Sequence, residues 1–596
     1  MNDPLYTEVE QVLGPGSTWI TAPSPSTSSL ASSSNSPASD SPVLFHAFRR
    51  TYKGAAKHDS YIWLQIVNPG LLKALKAVFP TLATLYKSVP GIDARAVYVQ
   101  REALRSDASS PALDSLLCYV EASFAYVAET ITTYPAGTIS WHLLWTQLEI
   151  GEDLETVHDV TGETMAITLD SWAYVQEAMG RALNLSCHFY QWAGTCWHRI
   201  PVNPQDLRIQ QILALPARPL TKEKKASLRE RGQTYTQYAG QVHASYEGFF
   251  FTGAFSGADR LMGEGQVVID VKSFRRCNPT LDHWGCISFE APPLAAELTS
   301  TAPETTSLTA AGRPKEQLHL LLPSIHGFSL RAKRFGKFLI SRLSPVIWRD
   351  ESFSHLVIPA SYRQIVKALV TVHAGELKEK LMVNAVEGKG NGLVMAFHGA
   401  PGTGKTLTAE AVAEHLRRPL YVVSAGELGM TAQTLDNQLK NVLELATAWN
   451  AVILIDEADI FLTKRDTRQL ERNALVGIFL RLLKYSGGVL ILTTNHIKNF
   501  GKAFLSRFAI VLRFDELDEP SCRTLWEQFL LKATSSSSSS LSAFDLAHLA
   551  SFRLNGRDIK HVIQTAQAVA LVKGDELGME HLDDVLRVAK SGMRRE

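Results

Sequence analysis

Little in this chain points to a secreted or membrane-embedded protein. Six cysteines, at positions 118, 187, 196, 277, 286 and 522 of 596, are too few and too scattered for a disulfide framework, so a reducing compartment is expected. No Lys or Arg precedes Arg49, so the start of the chain lacks the basic residues of a secretory signal or a mitochondrial presequence. No apolar run approaches the roughly 18 to 20 residues of a membrane-spanning helix. The strongest, Val452–Ile455 and Val489–Leu492, are of strand length. Excess charge is missing too: 60 Lys and Arg stand against 59 acidic residues, which excludes a chain-wide basic surface for nucleic acid. These absences predict a soluble intracellular protein, cytoplasmic or nuclear, with no membrane span and no nucleic-acid partner.

What is present suits several packed cores. Hydrophobic residues make up 45% and charged residues 20%. Residues 1–42 include a Ser/Pro-rich run, 21–42, that cannot bury enough apolar surface to offset chain entropy, and the whole stretch is expected to be a disordered tail. Residues 43–290 read as a mixed α+β domain, with helical spacing at Leu71–Phe79 and a β-branched run at Gln266–Val271. Residues 291–316 are a low-complexity linker. Beyond it, buried runs at Val394–His398, Leu420–Ser424, Val452–Asp456 and Val489–Thr493 alternate with helical patterns, which predicts a parallel α/β sheet covered on both faces over residues 317–515, lead-in segment included. From 516 to 596 the pattern is helical only, with Ile559, Val562, Ile563 and Ala566 on one face and a polyserine insertion at Ser535–Ser540.

The decisive segment runs from Gly399 through Ala400, Pro401, Gly402, Thr403, Gly404, Lys405, Thr406 and Leu407. It matches GxxxxGK[ST] and sits between a strand-like run and a helix-like one. Such a loop turns its backbone N–H groups toward phosphate oxygens, with the helix N-terminus adding positive potential. Lys405 supplies a charge for the β- and γ-phosphates of ATP, and Thr406 a hydroxyl for Mg²⁺. Asp456 closes the third apolar run, where a carboxylate meets ligands in open α/β sheets and would serve the metal. Glu457 beside it is the group expected to polarise an attacking water. Asn495, ending the next strand, either positions that water or is a strand-terminal turn residue.

Phosphate loop, Asp-Glu strand and Thr-Thr-Asn strand, in that order, resemble the AAA+ ATPase module. The resemblance extends through AFLSRF and LNGRDIKHVIQTAQAVA, and is closer to filamentous-fungal AAA ATPases with a large uncharacterised N-terminal region. It implies a P-loop NTPase AAA+ core, a C-terminal helical lid, and a mixed α+β N-terminal domain that binds a client or partner. It also implies ATP hydrolysis, a ring of identical subunits such as a hexamer, and a protein client to be remodelled. Arg507 matches the family's arginine finger, which acts on a neighbour's γ-phosphate. Arg557 matches the lid residue that senses nucleotide. For either arginine the alternative is a surface ion pair. Two departures stand out: Gly501 replaces an acidic residue before the finger segment, and Glu427-Leu-Gly-Met430-Thr431 carries no pore-loop aromatic, which puts processive threading in doubt. A nucleotide-gated scaffold with negligible turnover remains the alternative, and the intact Glu457 weighs against it.

Weaker signals have bland readings. Cys187-His188 with Cys196 and His198, and Cys277 with Cys286, either ligate zinc or, since they lack the tight spacing of zinc sites, are small buried thiols. The aromatic stretch Tyr235, Tyr238, Tyr246, Phe249, Phe250, Phe251 and Phe255 reads as core, with a recognition surface as the alternative. Lys222, Lys224, Lys225, Arg229 and Arg231 read as a solvated helix face, with nucleic-acid contact as the alternative.

Overall fold

The computed structural model describes residues 6–13, 19–21, 43–51, 60–107, 110–134, 139–177, 180–195, 197–202, 217–253, 259–279, 317–374, 392–429, 431–459, 470–483, 487–495, 505–533 and 545–593. Strands of these residues form four sheets. Tyr6–Leu13 (β1), Trp19–Thr21 (β2), Phe45–Thr51 (β3), Tyr61–Ile66 (β4) and Gly91–Asp93 (β5) make the first, in the order β2-β1-β3-β4-β5. The strands β1 and β2 correct the expectation of a tail disordered from 1 to 42. The Ser/Pro bias begins only after β2, whereas β1 pairs in parallel along β3 and stacks Tyr6 on Phe45 with ring centroids 5.3 Å apart. Residues 22–42, the linker 291–316 and the polyserine stretch lie outside the described residues.

Asp153–Val157 (β6), Thr164–Glu177 (β7), Gly180–Trp192 (β8), Trp197–Val202 (β9) and Ala217–Pro219 (β10) form an antiparallel second sheet. Helix Lys222–Tyr238 packs against it. The basic run on that helix is not merely solvated: Lys225 Nζ lies 2.6 Å from the Asp153 carboxylate, Lys224 Nζ 2.7 Å from Glu155, and Arg231 donates to the Thr164 carbonyl at 2.7 Å. Cys187 is buried and its thiol is pushed up to about 12 by burial. The neighbouring His188 pairs with Asp170 at 3.0 Å.

The third sheet comprises Val242–Tyr246 (β11), Phe249–Thr252 (β12), Asp259–Met262 (β13), Gly265–Ile269 (β14), Ser324–Ser329 (β15), Arg334–Leu339 (β16) and Leu343–Pro345 (β17), ordered β13-β12-β16-β15-β14-β11-β17. The lead-in segment after residue 317 is thus hydrogen-bonded into the sheet of the N-terminal region. The β-branched run at 266 ends at Ile269, because the Asp270 side chain accepts the Ser273 N–H and starts helix Val271–Cys277. Tyr235, Tyr238, Tyr246, Phe250 and Phe251 are buried as expected, while Phe249 faces solvent.

Leu393–Gly399 (β18), Leu420–Ser424 (β19), Val452–Asp456 (β20), Val489–Thr494 (β21) and Ile510–Phe514 (β22) form a fully parallel sheet, ordered β19-β20-β21-β18-β22. Successive side chains of each strand enter opposite cores, as the period of two demands. Met395, Phe397, Leu454 and Ile491 pack with helices Ala360–Ala374 and Lys405–Leu416, through Val366, Val370, Ala409 and Val412. Val394, Ile453, Ile455, Leu490 and Leu492 pack with helices Ala432–Ala448 and Leu470–Leu483, through Leu435, Leu439 and Phe479. Each fully buried side chain of this size contributes roughly 1.5–3 kcal/mol. Val268 and Phe328 of the third sheet, with Leu330 just after β15, join the second of these cores, which seats the N-terminal region against the parallel sheet. Glu519–Ala533, Leu546–Ala550, Gly556–Lys573 and Met579–Met593 close around Trp526, Leu530, Ile559, Ile563 and Leu582 as a helical lid.

Candidate active site

The phosphate loop leaves β18 at Gly399, where φ is +150° and a Cβ would lie 1.9 Å from the Phe514 carbonyl oxygen of β22; only glycine fits. Helix Lys405–Leu416 begins after Gly404 with no side-chain cap, so its first amides keep donors for a ligand. Thr403 is buried and its hydroxyl donates to the Ala400 carbonyl at 2.8 Å, bracing the turn from within. Thr406 is half-buried in the first helical turn, and Leu407 is exposed.

Lys405 is buried at the centre of the group. Its Nζ donates to the Gly399 and Ala400 carbonyls at 2.8 Å each and to Asn495 Oδ1 at 3.0 Å. Burial lowers the pKa of this ammonium, Asp456 and Asp459 draw it back up, and Arg557 lowers it further. Lys405, Asn495, Asp456 and Asp459, of which the first two lie 90 residues apart in sequence, therefore share one space.

The parallel register sets β20 beside β21, and the two strand ends are tied by side chains. The Thr493 hydroxyl donates to Asp456 Oδ1, and the Thr494 hydroxyl donates to Asp459 Oδ1. Glu457 follows with φ +54°, its amide donating to Thr493 Oγ1 at 3.2 Å and its carboxylate exposed. A non-glycine residue in this left-handed region costs energy and is held by its surroundings.

The lid reaches the loop directly. The Gly556 N–H donates to the Gly402 carbonyl at 3.1 Å, and Asn555 caps helix Gly556–Lys573 by accepting the Asp558 N–H at 3.0 Å. Gly402 has φ +76°, and a Cβ there would meet Asn555 Oδ1 at 2.4 Å. Arg557, exposed at this helix start, is thereby set beside the loop. Arg507 is exposed in the turn before β22, and the charges acting on Lys405 are those of Asp456, Asp459 and Arg557. Met430 and Gly501 lie outside the described residues.

Asp459 stands three residues after Asp456, Thr493 two before Asn495, and Asn555 two before Arg557; only the fold shows what each touches. Mg²⁺ takes hard oxygen ligands, and the donor set of the Thr406 hydroxyl and Asp456 carboxylate, beside a loop whose amides suit phosphate, fits that ion.

Residues 395–516 match the family described as "ATPase family associated with various cellular activities (AAA)". Similar proteins include a "Putative 26S proteasome regulatory subunit homolog" of Methanothermobacter thermautotrophicus, 31% identical over 204 residues, which are 33% of this chain and 54% of that protein. "ATPase family AAA domain-containing protein 3" of Xenopus tropicalis is 28% identical over 212 residues, 32% of this chain and 35% of its own length. The human "ATPase family AAA domain-containing protein 3A" is 27% identical over 206 residues, again 32% and 35%. The chain spans about half the length of the archaeal relative and about a third of the other two. Among the described residues no helix is long and apolar enough to cross a membrane. The family match opens inside β18 and closes just past β22, so it coincides with the parallel sheet that holds the site, and the chain accordingly carries an AAA+ superfamily ATPase domain.

Proposed function

We propose that the protein hydrolyses Mg-ATP and couples turnover to remodelling of a protein client or complex selected by its N-terminal region. The observation that supports the chemistry is the hydrogen bond from Lys405 to Asn495, side chains 90 residues apart that meet at the end of β18. Loop amides and Lys405 would hold the β- and γ-phosphates. Asn495 and Glu457 would place a water in line with the γ-phosphorus, with Glu457 accepting its proton. The water oxygen bonds to phosphorus, and the bond to the bridging oxygen breaks with its electron pair leaving on ADP. Thr406 and Asp456 would hold Mg²⁺, which when bound neutralises phosphate charge.

Arg507, exposed on the surface, is the residue for a neighbouring subunit's γ-phosphate; a finger supplied in trans contributes about 10³–10⁵ in rate and makes turnover depend on assembly. Arg557 and Gly556, on the lid, would transmit nucleotide state to lid position. A homo-oligomeric ring, hexameric by resemblance, follows from that division of labour. The test is phosphate release by the wild type against Glu457→Gln, with nucleotide binding measured in both. Loss of release with binding retained supports the reading, and equal inactivity of two nucleotide-binding proteins contradicts it.

A further inference from the structure

Thr493 has more to do than fill a strand. It is 1% exposed, at the carboxyl end of β21 beside β20, and meets three consecutive residues of the Asp-Glu turn. Its hydroxyl donates to Asp456 Oδ1 and accepts the Glu457 amide at 3.2 Å, and its carbonyl accepts the Ala458 amide at 3.0 Å. The hydroxyl's single proton goes to the carboxylate, so its lone pair is left for the amide, and both groups are oriented by one side chain.

The turn needs such support. Glu457, at φ +54°, is in a left-handed conformation that is disfavoured for an L-residue. Two amides of the turn, those of Glu457 and Ala458, donate to Thr493 and hold Glu457 in that conformation. Loss of one of these bonds would let Glu457 relax toward ordinary backbone angles and carry its carboxylate with it. The hydrogen bonds of Lys405 go to the Gly399 and Ala400 carbonyls and to Asn495, two residues beyond Thr493.

We propose that Thr493 is a positioning residue for hydrolysis: its hydroxyl fixes the Glu457 backbone and the Asp456 carboxylate together, so that the water-activating group and the metal-holding group keep one geometry. The inference rests on the hydrolase reading above. It assigns Thr493 to the chemical step rather than to nucleotide capture.

Thr493→Val keeps the β-branched shape and removes the hydroxyl, and Thr493→Ser keeps the hydroxyl on a smaller side chain. In the full chain with Mg-ATP, the valine variant should lose between about 10-fold and 10²-fold in kcat, part of the about 10²–10⁴ that a positioned base contributes. Its KM and its affinity for a non-hydrolysable ATP analogue should stay within about twofold of wild type, the signature of an interaction made in the transition state. The serine variant should recover most of the lost rate. The inference is overturned alone if wild type turns over and Thr493→Val matches it. It is equally overturned if the valine variant loses analogue affinity and thermal stability in step with rate, or if serine fails to restore turnover. A wild-type chain that hydrolyses no ATP at any protein concentration overturns the hydrolase reading and this inference with it.

Discussion

The indole N–H of Trp449 donates to the Asp270 carboxylate at 2.9 Å, joining residues 179 apart in sequence. Both are buried, at 4% and 5% exposure. The other oxygen of Asp270 accepts the Ser273 N–H at 2.9 Å, so one carboxylate starts a helix of the N-terminal region and holds the end of helix Ala432–Ala448 in the ATPase domain. Phe328 of β15 packs on the same indole with centroids 5.0 Å apart and on Tyr421 at 5.5 Å. At the rim Arg276 meets Glu444 at 2.6 Å, and Lys333 meets Glu427 at 2.5 Å. The N-terminal sheet is therefore seated on the strand and helix that flank the expected pore-loop position.

Trp449→Phe preserves the ring packing and leaves a buried carboxylate oxygen without its donor. Stability should fall by about 1–3 kcal/mol, the cost of an unsatisfied buried acceptor, read as a lower urea midpoint. Lys333→Ala removes a bond whose partner Glu427 is 45% exposed. Its effect should stay within about 1 kcal/mol, as for exposed ion pairs.

Gly402→Ala tests the contact between lid and loop. The new methyl would press on Asn555 at 2.4 Å, at a residue with φ +76°. Strain of about 1–3 kcal/mol at one residue predicts roughly a tenfold loss of nucleotide affinity, measurable by titration with a fluorescent ATP analogue. Affinity equal to wild type would show that the loop accommodates the methyl without displacing the lid.

Acid should weaken the N-terminal region through Asp153. Burial alone would raise its pKa, but hydrogen bonds from His319, Lys225 and Thr168 hold the carboxyl well below the usual carboxylate range. A depressed folded pKa gives stability that is complete above the unfolded value, about 4, and is lost as pH falls toward the folded one. Asp153→Asn should cost about 1.5–3 kcal/mol at pH 7, as for hydrogen bonds to a charged group. It should also flatten the decline in urea midpoint between pH 5 and pH 3, about the range of the linkage. An unchanged acid limb would assign that decline to other groups.

The ATPase sheet was legible because strands buried on both faces print as unbroken apolar runs, and Leu420–Ser424 and Val452–Asp456 agree with those runs to the residue. The lid helix was legible from Ile559, Val562, Ile563 and Ala566, all buried. The start of the chain was not: a Ser/Pro-rich neighbour masked the alternation of β1, whose pairing depends on β3, 39 residues on. The strands β15, β16 and β17 were hidden likewise, since antiparallel partners across a long linker leave no local trace. Within the site, Lys405 and Glu457 follow from motif chemistry. The links of Thr493 to Asp456 and of Asn555 to Gly402 arise only when β20 meets β21 and the lid meets the loop.

Mg-ATP hydrolysis measured across a protein-concentration series, with Glu457→Gln and Arg507→Ala alongside, decides whether the protein is an assembling ATPase. Specific activity should rise with wild-type concentration. It should fall by about 10²-fold or more in Glu457→Gln and about 10³-fold in an Arg507→Ala protein that still assembles, with nucleotide binding kept in both. Wild type and Glu457→Gln binding nucleotide equally and hydrolysing none would contradict the hydrolase reading.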